Sequence, residues 1–370
     1  EAWQQSHQPF HWLAEFYEIV NGHGGFDVII GNPPYLEARQ INYEVIDYKT
    51  KNSGAVHAFC VERSLSLIHT KGNMSMIVPL ALVCTQRMVC VQRLLETNRS
   101  SWYSNFAWRP AKLFDAVNRA LSIFVVNASL KIHHYTTPYI KWASDNRKYL
   151  FKGIAYTQYD ENRVSFWMPK LSSHIELSIL EKILCQPKRI GNITVNSSTN
   201  KVYYRTTGGL YWKVFTNFSP KFFCNGLEGH SSRETSLNVV NQKITDSLVA
   251  FLSSNLFWWW YTITSNLRDL NPSDINGIKI PNDLLDNHKL RSLGVSYMRD
   301  LETNSTMLTR EQKNKGTTQT QSFKISKSKP IIDEIDKVLA RHYGFTEEEL
   351  DFIINYDIKY RMGDELNEEL

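Results

Sequence analysis

Phe26-Asp27-Val28-Ile29-Ile30-Gly31-Asn32-Pro33-Pro34-Tyr35 is the stretch of sequence that decides the fold of this chain. Its short apolar run, Val28 to Ile30, ends at a glycine and passes directly into Asn-Pro-Pro-Tyr. Such a run before turn residues predicts a buried strand of a parallel sheet that ends in a rigid loop. In open α/β sheets, ligands bind at the carboxyl ends of the strands. Residues 32–35 are therefore a candidate binding loop.

The residue types of this loop suit a planar group that carries an amine, such as adenine. The side-chain oxygen of Asn32 and the backbone oxygen of Pro33 can accept the two N–H groups of the amine, which frees the nitrogen lone pair. Pro34 stiffens the turn and favours an extended Pro33, and Tyr35 offers a ring on which the base can stack. No general base is evident, and none is required because the amine becomes acidic once it is methylated. A simple loop boundary is the alternative interpretation of Asn-Pro-Pro.

The loop and the segments after it resemble the N6-adenine DNA methyltransferase family. Asn32-Pro33-Pro34-Tyr35 matches the catalytic loop of that family. Residues 58–67 and 72–79 resemble the helix and strand that follow the loop, and residues 113–126 resemble the hairpin that closes the sheet. The order of domains, with target recognition after catalysis, is similar to that of large type IIG restriction-modification and phage-defence methylases. The resemblance spans most of the chain, and the loop is its most specific part.

This resemblance implies the substrate, the methyl donor and the residues of the site. The substrate would be double-stranded DNA, the donor S-adenosyl-L-methionine, and the reaction site-specific adenine methylation. Tyr35 and Phe114 would flank an extruded base, and Asn32 with Phe59 would contact the cofactor. The implied catalytic residues are Asn32, Pro33, Pro34 and Tyr35.

One feature by which this fold holds S-adenosyl-L-methionine is missing from the sequence. That feature is an early strand, a glycine-rich turn and a helix, followed by an acidic residue on the next strand. Gly22 to Gly25 leads into a strand rather than a helix, and Gly208-Gly209 has no acidic partner. We therefore expect a missing N-terminal part of the same protein as a partner. Without it, the sheet would have an unpaired edge and exposed apolar faces.

The composition limits the classes of protein to which the chain can belong. Its 370 residues suffice for two domains and a tail, and 42% hydrophobic with 21% charged residues is typical of a soluble globular protein. The net charge of +5 permits nucleic-acid binding without indicating it. Five cysteines without a Cys-x-x-Cys pair predict a reducing cytoplasm and no metal. The apolar segment 248–263 is shorter than the roughly 20 residues of a membrane span, so no membrane is expected.

The predicted fold class is α/β, with a partial Rossmann-like methyltransferase sheet, an α+β target-recognition domain and a helical tail. Residues 1–140 alternate strand and helix patterns, which predicts a mostly parallel sheet and the C-terminal half of the catalytic domain. Residues 141–302 are the predicted target-recognition domain and residues 303–327 a polar linker. Residues 328–370 form a helical C-terminal segment, in which Thr346 and Glu349 have the spacing of a capping box.

Aromatic and basic residues are mixed in two clusters, 139–152 and 201–223. Such mixtures suit a DNA-facing surface, because cations neutralise phosphates and planar groups cover sugars or bases. Buried aromatics beside solvated lysines are the alternative interpretation. The run Phe257 to Tyr261 is expected to be mostly core, because consecutive residues cannot share one face. The expected DNA-binding residues are Lys201, Arg205, Lys213 and Arg268.

Three functions stay open at the level of sequence. The first is methylation of adenine N6 in specific DNA sequences, as part of a restriction-modification or phage-defence system. The second keeps the loop and changes the substrate to a protein glutamine or to RNA; the long aromatic and basic region after the loop favours DNA. The third is a catalytically silent DNA-binding fragment.

Overall fold

The computed structural model describes residues 11–159, 166–208, 211–312 and 316–363. The chain divides into two compact units, Glu1–Ser172 and Ser173–Leu370. The predicted boundary between residues 140 and 141 differs from this division. Residues 141–172 stay with the first unit because the strand Thr157–Tyr159 returns to the sheet of that unit.

The first unit consists of one sheet with helices. Its strands are β1 (Phe26–Gly31), β2 (Ile68–Pro79), β3 (Arg99–Phe106), β4 (Leu121–Ala128), β5 (His134–Ile140) and β6 (Thr157–Tyr159). Its α-helices are α1 (Trp12–Glu15), α2 (Val56–Leu67), α3 (Ala81–Cys84) and α4 (Val89–Glu96). A π-helical turn covers Glu18–Gly22, and 3-10 turns cover Ala38–Gln40, Lys51–Ser53, Gln86–Met88 and Ser144–Tyr149.

The strands of the first unit pair in the order β1-β2-β4-β3-β5-β6. The pairs β1–β2 and β3–β5 are parallel, and the other three are antiparallel. The predicted α/β class is confirmed. The sheet contains more antiparallel pairing than the strand–helix alternation predicts, because β4 turns back and inserts between β2 and β3.

Strand β1 lies at the edge of this sheet. It was predicted to be buried, and this prediction is wrong. Val28 is 55% exposed and Ile30 is 79% exposed. Ile30 lies in register with Ser75 of β2, which in turn lies in register with Val125 of β4. Val125 is 37% exposed, so these positions form an exposed row across the sheet. The predicted apolar exposure at the edge of the sheet is therefore confirmed.

The second unit combines small sheets with a group of helices. Its strands are β7 (Lys188–Arg189), β8 (Lys201–Arg205), β9 (Phe215–Thr216), β10 (Phe222–Cys224), β11 (Leu227–Glu228), β12 (Glu234–Asn238), β13 (Lys279–Ile280), β14 (Ser305–Gln312) and β15 (Gly316–Phe323). They form sheets of the orders β11-β10-β15-β14, β12-β8-β9 and β13-β7. Its α-helices are α5 (His174–Leu184), α6 (Gln242–Ser253), α7 (Asn255–Thr264), α8 (Pro272–Asn276), α9 (His288–Thr303), α10 (Lys329–Tyr343), α11 (Glu347–Asn355) and α12 (Ile358–Arg361), and its 3-10 turns are Ile190–Asn192, Leu284–Asp286 and Ile325–Ser328.

The segment 303–327 forms a hairpin, so its prediction as a polar linker is wrong. Strands β14 and β15 pair from Ser305 with Phe323 to Gln312 with Gly316, and β15 also pairs with β10. Backbone hydrogen bonds hold this hairpin, and most side chains of β14 are exposed. A strand that buries so few apolar side chains carries no hydrophobic alternation from which to predict it.

Helix α7 forms the aromatic core of the second unit. All its residues are buried. The indole N–H of Trp259 donates to Glu176 at 2.9 Å, and that of Trp260 donates to the carbonyl of Asp274 at 3.1 Å. Buried indoles with satisfied N–H groups are typical of a packed interior, which confirms the predicted core role. Within the described ranges, no helix is long and apolar enough to cross a bilayer.

The C-terminal segment is helical over its described residues, 328–363, and the rest of the predicted segment, 364–370, lies outside the described part of the chain. Helix α10 ends at Gly344, whose φ of 68° is readily adopted by glycine. Helix α11 begins with the predicted capping box. The Thr346 hydroxyl accepts from the Glu349 amide at 3.2 Å, and the Glu349 carboxylate accepts from the Thr346 amide at 2.7 Å.

Candidate active site

The Asn-Pro-Pro-Tyr loop lies at the carboxyl end of β1, as predicted. Gly31, the last residue of β1, pairs with Met76 near the carboxyl end of the parallel strand β2. Asn32 and Pro34 are exposed, Pro33 is buried and Tyr35 is half-buried. The loop therefore presents the amide side chain at the edge of the sheet where ligands bind in this fold class.

Tyr35 is held by both its hydroxyl group and its ring. The hydroxyl donates to the carbonyl of Ile77 at 3.0 Å, one residue beyond the last position of β2 that pairs with β1. Burial raises the pKa of Tyr35 to about 12, although the charge of Arg119 opposes this shift. The phenol therefore keeps its proton near neutral pH and acts as a donor rather than a base. The ring packs against a buried cluster composed of Phe106, Ala111, Leu113, Leu121, Trp142 and Leu150.

Two further residues beside the loop were not predicted. The guanidinium of Arg119 lies 6.0 Å from the centre of the Tyr35 ring, at the outer limit of a cation–π contact. His57 is 3% exposed, and neither of its ring nitrogens has a hydrogen-bond partner among the described residues. Burial, together with the charge of the nearby Arg87, lowers the pKa of His57 to about 4, so the ring stays neutral. No motif or spacing in the sequence marks either residue.

Helix α2 supports the far end of the loop. The amide of Val56 donates to the carbonyl of Leu36 at 2.9 Å, and Glu37 forms a β-bridge with Ala55. The Glu37 carboxylate accepts two hydrogen bonds from Arg87, at 2.6 and 2.8 Å. These bonds lower the pKa of Glu37. The loop is thus fixed to neighbouring elements at both Tyr35 and Glu37.

An apolar cavity of about 390 Å³ lies beside the loop. Ile30 and Gly31 at the end of β1 line it, together with Phe114 and Phe151. Phe114 is 38% exposed. The predicted stacking residue Phe114 therefore lines the same cavity as Gly31, the residue before Asn32. The side chains of Asn32 and Tyr35 themselves do not line this cavity.

The structure does not test the cofactor contacts predicted for Asn32 and Phe59. Phe59 is 6% exposed and packs edge-on against Tyr48, with ring centres 6.0 Å apart, so its cofactor role stays a prediction. Gly25 has a φ of +126°, and a Cβ there would lie 2.6 Å from the carbonyl oxygen of Leu67. Its role is close packing against the start of β2, in agreement with its interpretation as an ordinary turn. The described residues therefore lack the strand, glycine turn and helix of the usual cofactor site.

The predicted DNA-binding residues lie on or near β8 in the second unit. Arg205 is exposed at the end of β8, and the charges of Arg233 and Arg310 act on it. A β-bridge joins Thr207 to Asp269, the residue after Arg268, so Arg268 lies near the same end of β8. The predicted residues at the two ends of β8 are Lys201 at its start and Arg205 at its end.

Lys213 differs from the other predicted DNA-binding residues because its ammonium group has internal partners. It donates to the carbonyl of Gly208 at 2.9 Å and lies 5.1 Å from the centre of the Tyr261 ring. Burial lowers its pKa to about 8. Arg268, in contrast, is 76% exposed, and its guanidinium lies 3.9 Å from the Asp269 carboxylate. Arg268 is therefore better placed than Lys213 to meet a phosphate.

Comparison with known proteins gives one family match. The Eco57I restriction-modification methylase family matches residues 1–114, the part of the chain that contains the Asn-Pro-Pro-Tyr loop. A comparison with curated protein sequences gives no match. The methylase likeness expected from residues 32–35 is therefore found in the first third of the chain.

Several solved structures are similar to the chain at low sequence identity. The type IIL restriction-modification enzyme MmeI in complex with DNA is 10% identical, with 88% of this chain and 56% of that chain covered and a TM-score of 0.46. A DrdV–DNA complex is 11% identical, with 74% and 44% covered and a TM-score of 0.37. The type IIG restriction endonuclease BpuSI is 12% identical, with 89% and 52% covered and a TM-score of 0.30. The chain thus spans about half the length of these structures.

Proposed function

We propose that the chain is part of a DNA methyltransferase that transfers a methyl group from S-adenosyl-L-methionine to adenine N6 in specific sequences, within a restriction-modification or phage-defence system. The observation that carries this proposal is the exposed Asn32, in a loop fixed at the carboxyl end of β1. The methylase family match over residues 1–114 supports methyl transfer as the reaction.

In this proposal the loop activates the adenine amine. The side-chain oxygen of Asn32 and the carbonyl of Pro33 accept its two N–H groups. As the nitrogen forms its new bond, these N–H groups become more acidic, so both hydrogen bonds strengthen in the transition state. Because the oxygens belong to a rigid loop, little reorganisation is needed when the charge develops.

In this proposal the extruded base contacts two aromatic residues, Tyr35 of the loop and Phe114 at the edge of the apolar cavity. Tyr35 offers a ring whose position is fixed by the hydrogen bond of its hydroxyl to Ile77. Phe114, in the loop between β3 and β4, borders the apolar cavity next to Gly31. Stacking on such rings recognises a base that has left the duplex. Residues of the second unit, Arg205 and Arg268 among them, would contact the DNA around the target.

Replacing Asn32 by Ala tests the catalytic assignment. In the intact protein, Asn32→Ala is expected to lower methyl transfer to duplex DNA by at least about a hundredfold, since it removes one preorganised hydrogen-bond partner. DNA binding should stay nearly unchanged, because contacts with phosphates dominate affinity. The exposed Asn42 gives the matched control, Asn42→Ala, which should keep full activity. Wild-type methylation by the Asn32 variant would refute the assignment.

The substrate class requires a separate measurement. Labelled methyl transfer to duplex DNA, to RNA and to protein is compared in the same preparation of the intact protein. Transfer to DNA alone, with the label in N6-methyladenine, is the expected result. Label in protein glutamine or in RNA would instead select the second function that the loop permits.

A further inference from the structure

The first unit contains a second cleft, which the proposed chemistry does not use. It lies between the connection from β3 to β4 (residues 107–120) and residues 142–147, and its volume is about 630 Å³. The charged residues that line it are Arg109, Lys112, Arg147 and the single acid Asp115. Three cations and one anion leave a formal charge of +2. We name this feature the basic cleft.

The three cations of the basic cleft have neutral partners. The guanidinium of Arg147 donates to the carbonyl of Leu113 at 2.7 Å, and the ammonium of Lys112 donates to the Asn118 side chain at 2.9 Å. The guanidinium of Arg109 lies 4.3 Å from the centre of the Trp108 ring. Within the described part of the chain, none of the three cations forms an ion pair with a carboxylate. Their charge is therefore available to an anion.

The walls of the basic cleft are joined before any ligand binds. The Ala111 amide donates to the Trp142 carbonyl at 3.1 Å, and Arg147 reaches across to the carbonyl of Leu113. Trp142 is 6% exposed, and its indole N–H is buried without an acceptor among the described residues. A cleft that is already formed binds its ligand without the cost of ordering it.

The basic cleft adjoins the apolar cavity beside the Asn-Pro-Pro-Tyr loop. Arg147 lines both spaces. Phe114, which lines the apolar cavity, lies in the same connection as Lys112 and Asp115 of the basic cleft. A nucleotide whose base lay at the Asn-Pro-Pro-Tyr loop and touched Phe114 at the edge of the apolar cavity would therefore have its backbone near the basic cleft.

We propose that the basic cleft binds a backbone phosphate of the DNA strand that carries the target adenine. Arginine forks and lysine ammonium groups are the usual partners of phosphates, and half-buried indoles such as Trp108 can cover the adjoining sugar. The inference rests on the proposed function, and it assigns strand binding to the first unit in addition to the predicted surface near β8. Arg109, Lys112 and Arg147 position the strand and take no part in the chemical step.

The test compares charge removal inside and outside the basic cleft in the full chain. The double variant Arg109→Gln/Lys112→Gln removes two cations, and Lys131→Gln removes an exposed cation elsewhere in the first unit. The dissociation constant for a fluorescein-labelled DNA duplex is measured over a series of KCl concentrations. Thermal unfolding of each variant checks that the fold is intact.

The double variant is expected to bind DNA about eightfold more weakly for each phosphate that it no longer neutralises, at about 0.1 M salt. The slope of log affinity against log salt concentration should fall by about one for each such phosphate. Lys131→Gln should match the wild type. Wild-type affinity and slope in the double variant would overturn the proposal, and so would the absence of salt-dependent binding by the wild type.

Methyl transfer measured in parallel separates this inference from the proposed function. If the double variant loses DNA binding while the intact wild-type protein transfers no methyl group to adenine, the basic cleft stands as a site for a DNA phosphate and the proposed function fails. If the double variant binds normally while Asn32→Ala abolishes transfer, the proposed function stands and the basic cleft fails.

Discussion

At the scale of single residues, the ring and the hydroxyl of Tyr35 have separable tasks. Tyr35→Phe removes the hydrogen bond to Ile77 and should lower the free energy of unfolding by about 1 kcal/mol. Tyr35→Ala also removes the stacking surface, worth about 1–3 kcal/mol in binding an unpaired base. We expect kcat/KM of the Phe variant to exceed that of the Ala variant on the same duplex. Equal losses in both variants would assign the effect to the hydroxyl and contradict a stacking role.

The buried His57 predicts a specific dependence of stability on pH. Its pKa is about 4 in the folded chain and about 6.5 when unfolded, so above pH 6.5 the ring is neutral in both states. As the pH falls from 6.5 towards 4, the unfolded chain binds a proton that the folded chain excludes. The free energy of unfolding then decreases, by about 2 kcal/mol at pH about 5.

Urea unfolding of the wild type and His57→Gln, at neutral and mildly acidic pH, checks this prediction. Gln does not titrate, so the wild type should lose more stability than the variant on acidification. Burial raises the pKa of Asp336 to about 7, so this group lowers the stability as the pH rises. Its effect on the pH dependence is opposite in sign to that of His57. This contribution is common to both proteins and cancels in the difference. Parallel pH profiles would contradict the assignment of a neutral buried His57.

Some site residues could be predicted from sequence because they depend on local sequence alone. The loop at Asn32 follows from an apolar run, a glycine and two prolines in succession. The partners of Tyr35 are different, since Ile77 lies 42 residues away along the chain. His57 and Arg119 approach the loop only once the sheet has formed. Contacts of this kind leave no pattern in one sequence.

At the scale of elements, burial and composition account for the successes and the errors. Helix α7 was predicted as core because its aromatic run cannot be exposed on every face, and all its residues are buried. Strand β1 shares the apolar character of a buried strand, yet Ile30 is 79% exposed because it lies in an uncovered row of the sheet face that also contains Val125 of β4. The hairpin β14–β15 was missed because backbone pairing holds it while few of its side chains are buried.

The buried carboxylate of Asp336 accepts the first backbone amides of α7, beside the N-cap hydroxyl of Ser254. Asp336 of α10 accepts from the backbone amides of Asn255 and Leu256, both at 3.1 Å, and from the Asn255 side chain at 2.7 Å. Asp336→Ala leaves the two backbone amides without this acceptor, although the Asn255 side chain keeps Asp333, and should lower the free energy of unfolding by about 3 kcal/mol. The exposed Asp283 gives the control Asp283→Ala, with an expected change within about 0.5 kcal/mol. Equal unfolding midpoints in urea would show that α7 does not need this cap.

At the scale of the whole molecule, composition and contacts divide the chain at different points. The aromatic and basic residues that begin near Lys141 mark a change of surface chemistry. The contacts divide the chain only between Ser172 and Ser173, because the strand β6 still pairs with β5 of the first unit. Surface composition follows the ligands that a region meets, whereas a domain boundary follows its core. The predicted boundary after residue 140 therefore differs from the division of the contacts.

The chain as a whole is expected to bind DNA without binding S-adenosyl-L-methionine tightly. Its described residues contain no strand, glycine turn and helix of the usual cofactor site, Gly25 packs against β2, and Phe59 is buried. Calorimetric titration of the chain with S-adenosyl-L-methionine should give little or no heat, while titration of the same sample with duplex DNA should show salt-dependent binding. The DNA titration is the control for a folded, competent preparation. Saturable, tight cofactor binding would mean that the exposed loop at Asn32 and its surroundings suffice for the donor, and the fragment hypothesis would then be wrong.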